Sequence, residues 1–277
     1  MSVEVSYLRR WLVNFNVTDN RARAPEDHTQ FSVVAPTDSR LPGGGGYTLP
    51  GFYNVTPTAA ARLNDNFLTL DRNYDGQTQA ADNISLNVTA RPRSGLTLQG
   101  GFNTANTHSD SCALRDLLPE TAPTNQWCDT STGWSTRYTA LATYTVPKID
   151  VLVSGTVRSD QGQALAANWA APNSATVGLN RPFAGIAGQT ITANLIEPGT
   201  LYGDRVNEVN LRFAKILRFG GVRSNVGVDL YNAFNAAPVL TYNQTFNPAI
   251  TTGTAAWLRP QSVLQARYVK ISAQIDF

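Results

Sequence analysis

The stretch Tyr268-Val269-Lys270-Ile271-Ser272-Ala273-Gln274-Ile275-Asp276-Phe277 changes between polar and apolar at every step. Side chains along an extended chain point alternately to opposite faces. Val269, Ile271, Ala273, Ile275 and Phe277 therefore share one apolar face, and Tyr268, Lys270, Ser272, Gln274 and Asp276 share a polar one. On a helix the same residues would scatter around the whole circumference. The segment is expected to be a strand between two unlike environments.

The same period recurs upstream, in segments of about ten residues. Val222, Val226, Val228 and Leu230 alternate with Arg223, Asn225, Gly227 and Asp229, and Val209, Leu211 and Phe213 with Asn210 and Arg212. Ile149, Val151, Val153, Gly155 and Val157 oppose Asp150, Ser154, Thr156 and Arg158. Tyr138, Ala140, Ala142, Tyr144 and Val146 oppose Arg137, Thr139, Thr143 and Thr145. Leu96, Leu98 and Phe102, then Ile84, Leu86 and Val88, behave alike. At the start, Val3, Val5 and Tyr7 lead into Trp11, Val13, Phe15 and Val17. About eight strands are expected.

Their connections are of two kinds. Short ones fall at Pro92-Arg93-Ser94-Gly95, Pro147-Lys148-Ile149-Asp150 and Phe219-Gly220-Gly221-Val222. Long ones fall at 18–81, 104–133, 161–204 and 236–260, and the two kinds alternate strictly. Short turns at one end and long loops at the other are the pattern of an outer-membrane β-barrel. In hydrocarbon every backbone N–H and C=O must find a partner, so strands crossing lipid pair around a closed ring. Trp11, Tyr138, Tyr144, Phe219, Tyr231 and Phe277 near strand ends fit interfacial aromatic girdles. Lys215 and Arg9 fall on apolar faces; they are expected either to snorkel to a rim or to mark a register-shifting bulge.

Composition agrees. Of 277 residues 42% are hydrophobic but only 15% are charged, and net charge is +2. There is no basic field for nucleic acid and no acidic tail. The longest charge-free stretch, residues 161–180, is broken by Gly162, Pro172 and Gly178, so a membrane-spanning helix is not expected. Met1-Ser2-Val3-Glu4-Val5 lacks the basic and apolar regions of a signal peptide. Met1 is accordingly expected to be a truncation or internal start of one domain, residues 1–277.

The residues 205–246, RVNEVNLRFAKILRFGGVRSNVGVDLYNAFNAAPVLTYNQTF, and 257–277, WLRPQSVLQARYVKISAQIDF, resemble the C-terminal end of TonB-dependent receptors. More narrowly they resemble the Oar-like group, as do VSYLRRWLVNFNVTDN (5–20) and LPGGGGYTL (41–49). The run Leu230 to Asn235, LYNAFN, and the terminal aromatic carry the likeness most specifically. The resemblance implies an all-β, antiparallel transmembrane fold in which these strands are the last part of a 22-stranded barrel. It also implies a cell outer membrane location, uptake of a bulky nutrient (siderophore, cobalamin or glycan class), and a plug domain and TonB as partners. Val269, Ile271, Ala273, Ile275 and Phe277 then resemble the C-terminal signal read by the barrel-assembly machinery. Outer-membrane lipid is the further partner.

Other candidates are weighed on their residues. Cys112 and Cys128 lie in one polar stretch without further ligands at zinc spacing. A loop disulfide in an oxidising compartment is the expectation, with two free thiols the alternative. Asp71, Asn73 and Asp75, with Gly76 and Asp82, follow the start of a calcium loop, but the residue types are also ordinary turn formers. Leu41 to Tyr47 is read as a flexible surface loop rather than a phosphate cradle. Asp150, Asp160, Asp204 and Glu208 are read as solvated acids, and no enzyme is expected. Arg137, Arg158, Arg212, Arg218 and Arg223 are expected to face a lumen, either bonded within the wall or plug or touching solute. Two other functions compete. A free-standing eight-stranded barrel with a structural or small-pore role requires the first strand to pair with the last. A soluble β-sandwich binding module requires a second sheet.

Overall fold

A computed structural model describes residues 1–276. Eight long strands form one antiparallel meander, each paired with its neighbour in sequence: β1 (Ser2–Leu12), β2 (Thr78–Arg93), β3 (Leu96–Asp110), β4 (Ser135–Val146), β5 (Val151–Asp160), β6 (Val206–Phe219), β7 (Val222–Tyr231) and β8 (Tyr268–Asp276). The short strand Asp129–Ser131 adds to the far end of β3. Among the described residues no helix is long and apolar enough to cross a membrane.

Register places like with like. One row runs Val5, Leu86, Phe102, Tyr138 across β1 to β4, and another runs Val153, Phe213, Val228, Ile271 across β5 to β8. The opposite face carries Ser6, Ser85, Asn103 and Arg137, then Ser154, Arg212 and Asp229. Among the described residues no second layer covers the apolar side: Val5 is 70% exposed and Ile271 77%. A sandwich would have buried this face against another sheet.

Three tight turns join the strands at one end. Gly95 takes φ +77°, and a Cβ there would lie 2.7 Å from the Thr145 carbonyl oxygen. The 147–150 turn holds Lys148 and Asp150 in the left-handed region. Ile149, expected in β5, therefore sits in the turn, and the strand begins at Val151. Gly220 and Gly221 make the third.

Four long connections, 13–77, 111–134, 161–205 and 232–267, gather at the other end and fold together. Their borders correct the expected ones. β1 stops at Leu12 because Asn14 adopts φ 60°, so Val13, Phe15 and Val17 do not continue it. Val17 instead pairs with Thr69 in a hairpin of Asn16–Asn20 with Asn66–Leu70. β2 and β3 run further than their large apolar residues do, pairing on to Thr78 and Asp110 through sequence whose only apolar residues are alanines.

The main hydrophobic core lies in this cap. Phe31, Phe52 and Phe183 pack with ring centroids 5.6–5.7 Å apart, and Phe246 meets Trp257 edge-on. Leu41 is buried among them and the Tyr47 hydroxyl donates to the Leu195 carbonyl at 2.6 Å. The Gly-rich stretch between lies at the surface, with Pro42, Gly43 and Gly46 exposed, but is anchored at Gly45, so close to Pro36 that a Cβ would fall 2.0 Å from its carbonyl oxygen.

The LYNAFN run has a local physical reason. Asn232 ends β7 at φ 49° and is 2% exposed. Its amide donates to the Ala236 and Gln265 carbonyls at 2.7 and 2.8 Å and accepts from the Ala236 N–H at 2.8 Å. Asn235 Oδ1 accepts from the Arg267 N–H at 2.9 Å, so two asparagines fasten the last loop where it leaves and rejoins the sheet. Asn232→Ala is expected to cost about 2–4 kcal/mol, from groups left unpaired and a strained backbone together. Asn232→Gly should cost less, and denaturant unfolding in detergent measures both.

Candidate functional site: an arginine–carboxylate ladder beneath a disulfide-pinned cap

β4 to β7 bring the five expected arginines to the polar face. Arg158 lies opposite Glu208, Arg212 opposite Asp229, Arg218 opposite Arg223, and Arg137 opposite Asn103. Arg158 bridges Asp160 and Glu208 at 3.1 Å each, and Asp160 also receives Arg137. Arg212 donates to both oxygens of Asp229 at 2.8 and 3.0 Å, and Arg218 reaches Asp150 at 3.1 Å. Sequence reading left Asp150, Asp160 and Glu208 as solvated acids; cross-strand neighbours engage them instead. The exposed pair of Arg218 and Asp150 contributes only about 0.2–1 kcal/mol, whereas Asp229 is buried and depends on Arg212 to compensate its charge. Arg205, not anticipated, lies apart from them on the other face, bonding Ser159 Oγ at 2.7 Å while its guanidinium lies 5.2 Å from the Tyr138 ring centre.

The two misplaced cations stay on the apolar face without any bulge. Lys215 lies opposite Val151 and Val226, and its ammonium reaches the Ile149 carbonyl in the turn. Arg9 sits opposite Asp82, 3.7 Å away, beside Trp11, and Asp82 accepts the Tyr7 hydroxyl at 2.6 Å. Tyr144 stacks under Arg93 at the turn end. Tyr231, expected in the girdle, falls on the polar face and stacks on Tyr268 at 4.6 Å. Val269, Ile271, Ala273 and Ile275 take the apolar face of β8, while Phe277 lies outside the described residues.

Cys112 and Cys128 are joined by a disulfide, with Cα atoms 4.8 Å apart. It closes a loop containing the helix Cys112–Leu117, whose Cys112 N–H is held by Asp110 Oδ1 at 2.9 Å. The calcium-loop residues each have a separate local role. Asp71 turns inward to accept the Gln77 N–H at 3.0 Å, Asn73 donates to Thr69, Asp75 holds a left-handed turn, and Asp82 belongs to β2.

Between the first two long loops lies a cleft of about 580 Å³, within the range of ligand sites. Val17 and Leu114 contribute apolar lining, and Asn16, Asn20, Asn64, Asn66 and Asn125 give it an amide surface. No motif marks it, because its residues come together only when the loops fold. Beside it, Tyr74 donates to Asp19 at 2.6 Å, and this bond with partial burial pushes the phenol up to about 12. Elsewhere in the cap, Arg40 beside Asp38 holds that carboxyl below the ordinary carboxylate range, and burial raises the Tyr47 phenol.

Comparison with protein-family models, curated proteins and solved structures gives no match.

The Tyr74 shift sets a pH dependence. The folded chain holds this proton more tightly than the unfolded chain, whose tyrosine titrates near 10. The contribution is complete below pH ~10 and lost as pH rises to ~12. The stability gap between the wild type and Tyr74→Phe should close over that window, and the substitution should remove a phenolate absorbance step near pH 12.

Proposed function

We propose that the chain is the C-terminal wall of a TonB-dependent outer-membrane receptor, taking part in uptake of a bulky nutrient. One observation carries the reading: an apolar face across eight strands that nothing among the described residues covers, backed by a polar, ion-paired face. Lipid on one side and an aqueous, plug-filled lumen on the other would satisfy both. The gathering of all long loops at one end, and Lys215 reaching its turn, support the same orientation.

Among the described residues β1 pairs only with β2, and β8 only with β7 within the eight-strand path. The closed eight-stranded barrel would need β1 against β8, and that pairing is not found. In the receptor reading both free edges take further strands of the same wall, since unpaired backbone is not tolerated in hydrocarbon. A plug domain, TonB and the barrel-assembly machinery are its partners, and the cell outer membrane its location.

The reading is tested by moving a charge by one residue. Reconstituted in phospholipid vesicles, Ile271→Arg should destabilise the inserted state by about 2–4 kcal/mol, whereas Ser272→Arg should change it little. Equal costs at both positions would contradict a lipid-facing sheet.

A further inference from the structure

The cap carries a second chemistry that the wall does not use. In the 580 Å³ cleft, the side chains of Asn16, Thr18, Asn66, Gln77 and Asn125 make no hydrogen bond within the protein among the described residues. By contrast Asn20 is fully engaged, donating to Asn64 and accepting from the Ala22 and Asp65 N–H groups. The first set is therefore available, whereas Asn20 builds the wall. A primary amide offers an acceptor and two donors side by side. That pairing matches the C=O and N–H of a peptide backbone.

Two further features narrow the ligand. Arg23 and Glu120 line the cleft and also a smaller cavity of about 150 Å³. The smaller space has apolar lining from Val55, Pro123 and Ile186, of a size to take one aliphatic side chain. Two adjoining spaces of unlike character suit a linear ligand better than a compact one. No aromatic ring lines the larger space, so a sugar ring has no platform there. The charges that line the larger space leave it little net charge: Arg115 is paired with Asp116, and the remaining Arg23 and Glu120 are of opposite sign, each bonded to a neutral group, Asn64 and the Asn20 N–H, with the Arg23 Nε buried and unpartnered. A ligand carrying several charges of one sign therefore finds no net counter-charge.

We propose that this cleft binds an extended, uncharged peptide segment, its backbone along the asparagine-lined wall and one aliphatic side chain in the smaller cavity. The site concerns the cap alone and stands whether or not the wall lies in lipid. The disulfide holds one wall of the cleft in place, because Ser111 and Leu114 flank or follow Cys112.

The test uses the full chain in detergent against an array of end-blocked, uncharged hexapeptides, with a neutral oligosaccharide array in parallel. The expected result is selection of peptides sharing one aliphatic position. Asn66→Ala combined with Asn125→Ala should weaken the best binder about tenfold, as loss of two hydrogen bonds implies. Both residues are exposed, and an unchanged unfolding midpoint will show that the cap still folds. Binding of oligosaccharides but not peptides would overturn the proposal. So would peptide binding that the double variant leaves untouched, or no binding on either array.

Discussion

Backbone pairing between consecutive strands is the constraint on which everything else rests. Each strand finds its donors and acceptors in its sequence neighbour, so the eight strands need no crossover and no helix to hold them. Pairing also fixes the side-chain faces: once Val5 stands opposite Leu86, every second residue of both strands is committed to the same side. The outcome is a sheet whose two faces differ in chemistry and whose apolar face is left uncovered by the described residues. Such a surface is far larger than the scattered apolar residues of a water-soluble exterior.

The cap solves a different problem. Four long connections leaving one end of a sheet would carry unsatisfied backbone and exposed apolar residues if each stood alone. They fold on one another instead, around Phe52, Val33, Leu195 and Phe246, into what is in effect a small globular layer. Asn232 and Asn235 fasten the last loop to the sheet, and the Cys112–Cys128 bridge closes the second. Beside the cleft the first and second loops meet through a small apolar cluster of Val17, Leu114 and Leu118 with Tyr74.

Strand number, order and facing were legible in the sequence because period-2 alternation is a local signal. The five arginines fell on one face for the same reason. What alternation could not disclose was polar pairing: Thr104 to Asp110 carry β3 onward with no apolar residue on the pattern beyond Ala105. Val13 to Val17 misled in the opposite direction, since Asn14 breaks the strand by backbone conformation while leaving the alternation intact. The partners of Arg158 and Arg212 sit on adjacent strands about 50 and 17 residues away, and no local pattern ties a side chain to one so distant. The cap core and the cleft were illegible for that reason too.

The most direct measurement is a scan of nitroxide labels, placed singly at residues 269 to 275 of the lipid-reconstituted chain. Collision with oxygen, which concentrates in lipid, should peak at 269, 271, 273 and 275. Collision with a water-soluble nickel complex should peak at 270, 272 and 274. A profile in which both reagents reach the odd-numbered positions equally would mean that water, not lipid, covers the apolar face.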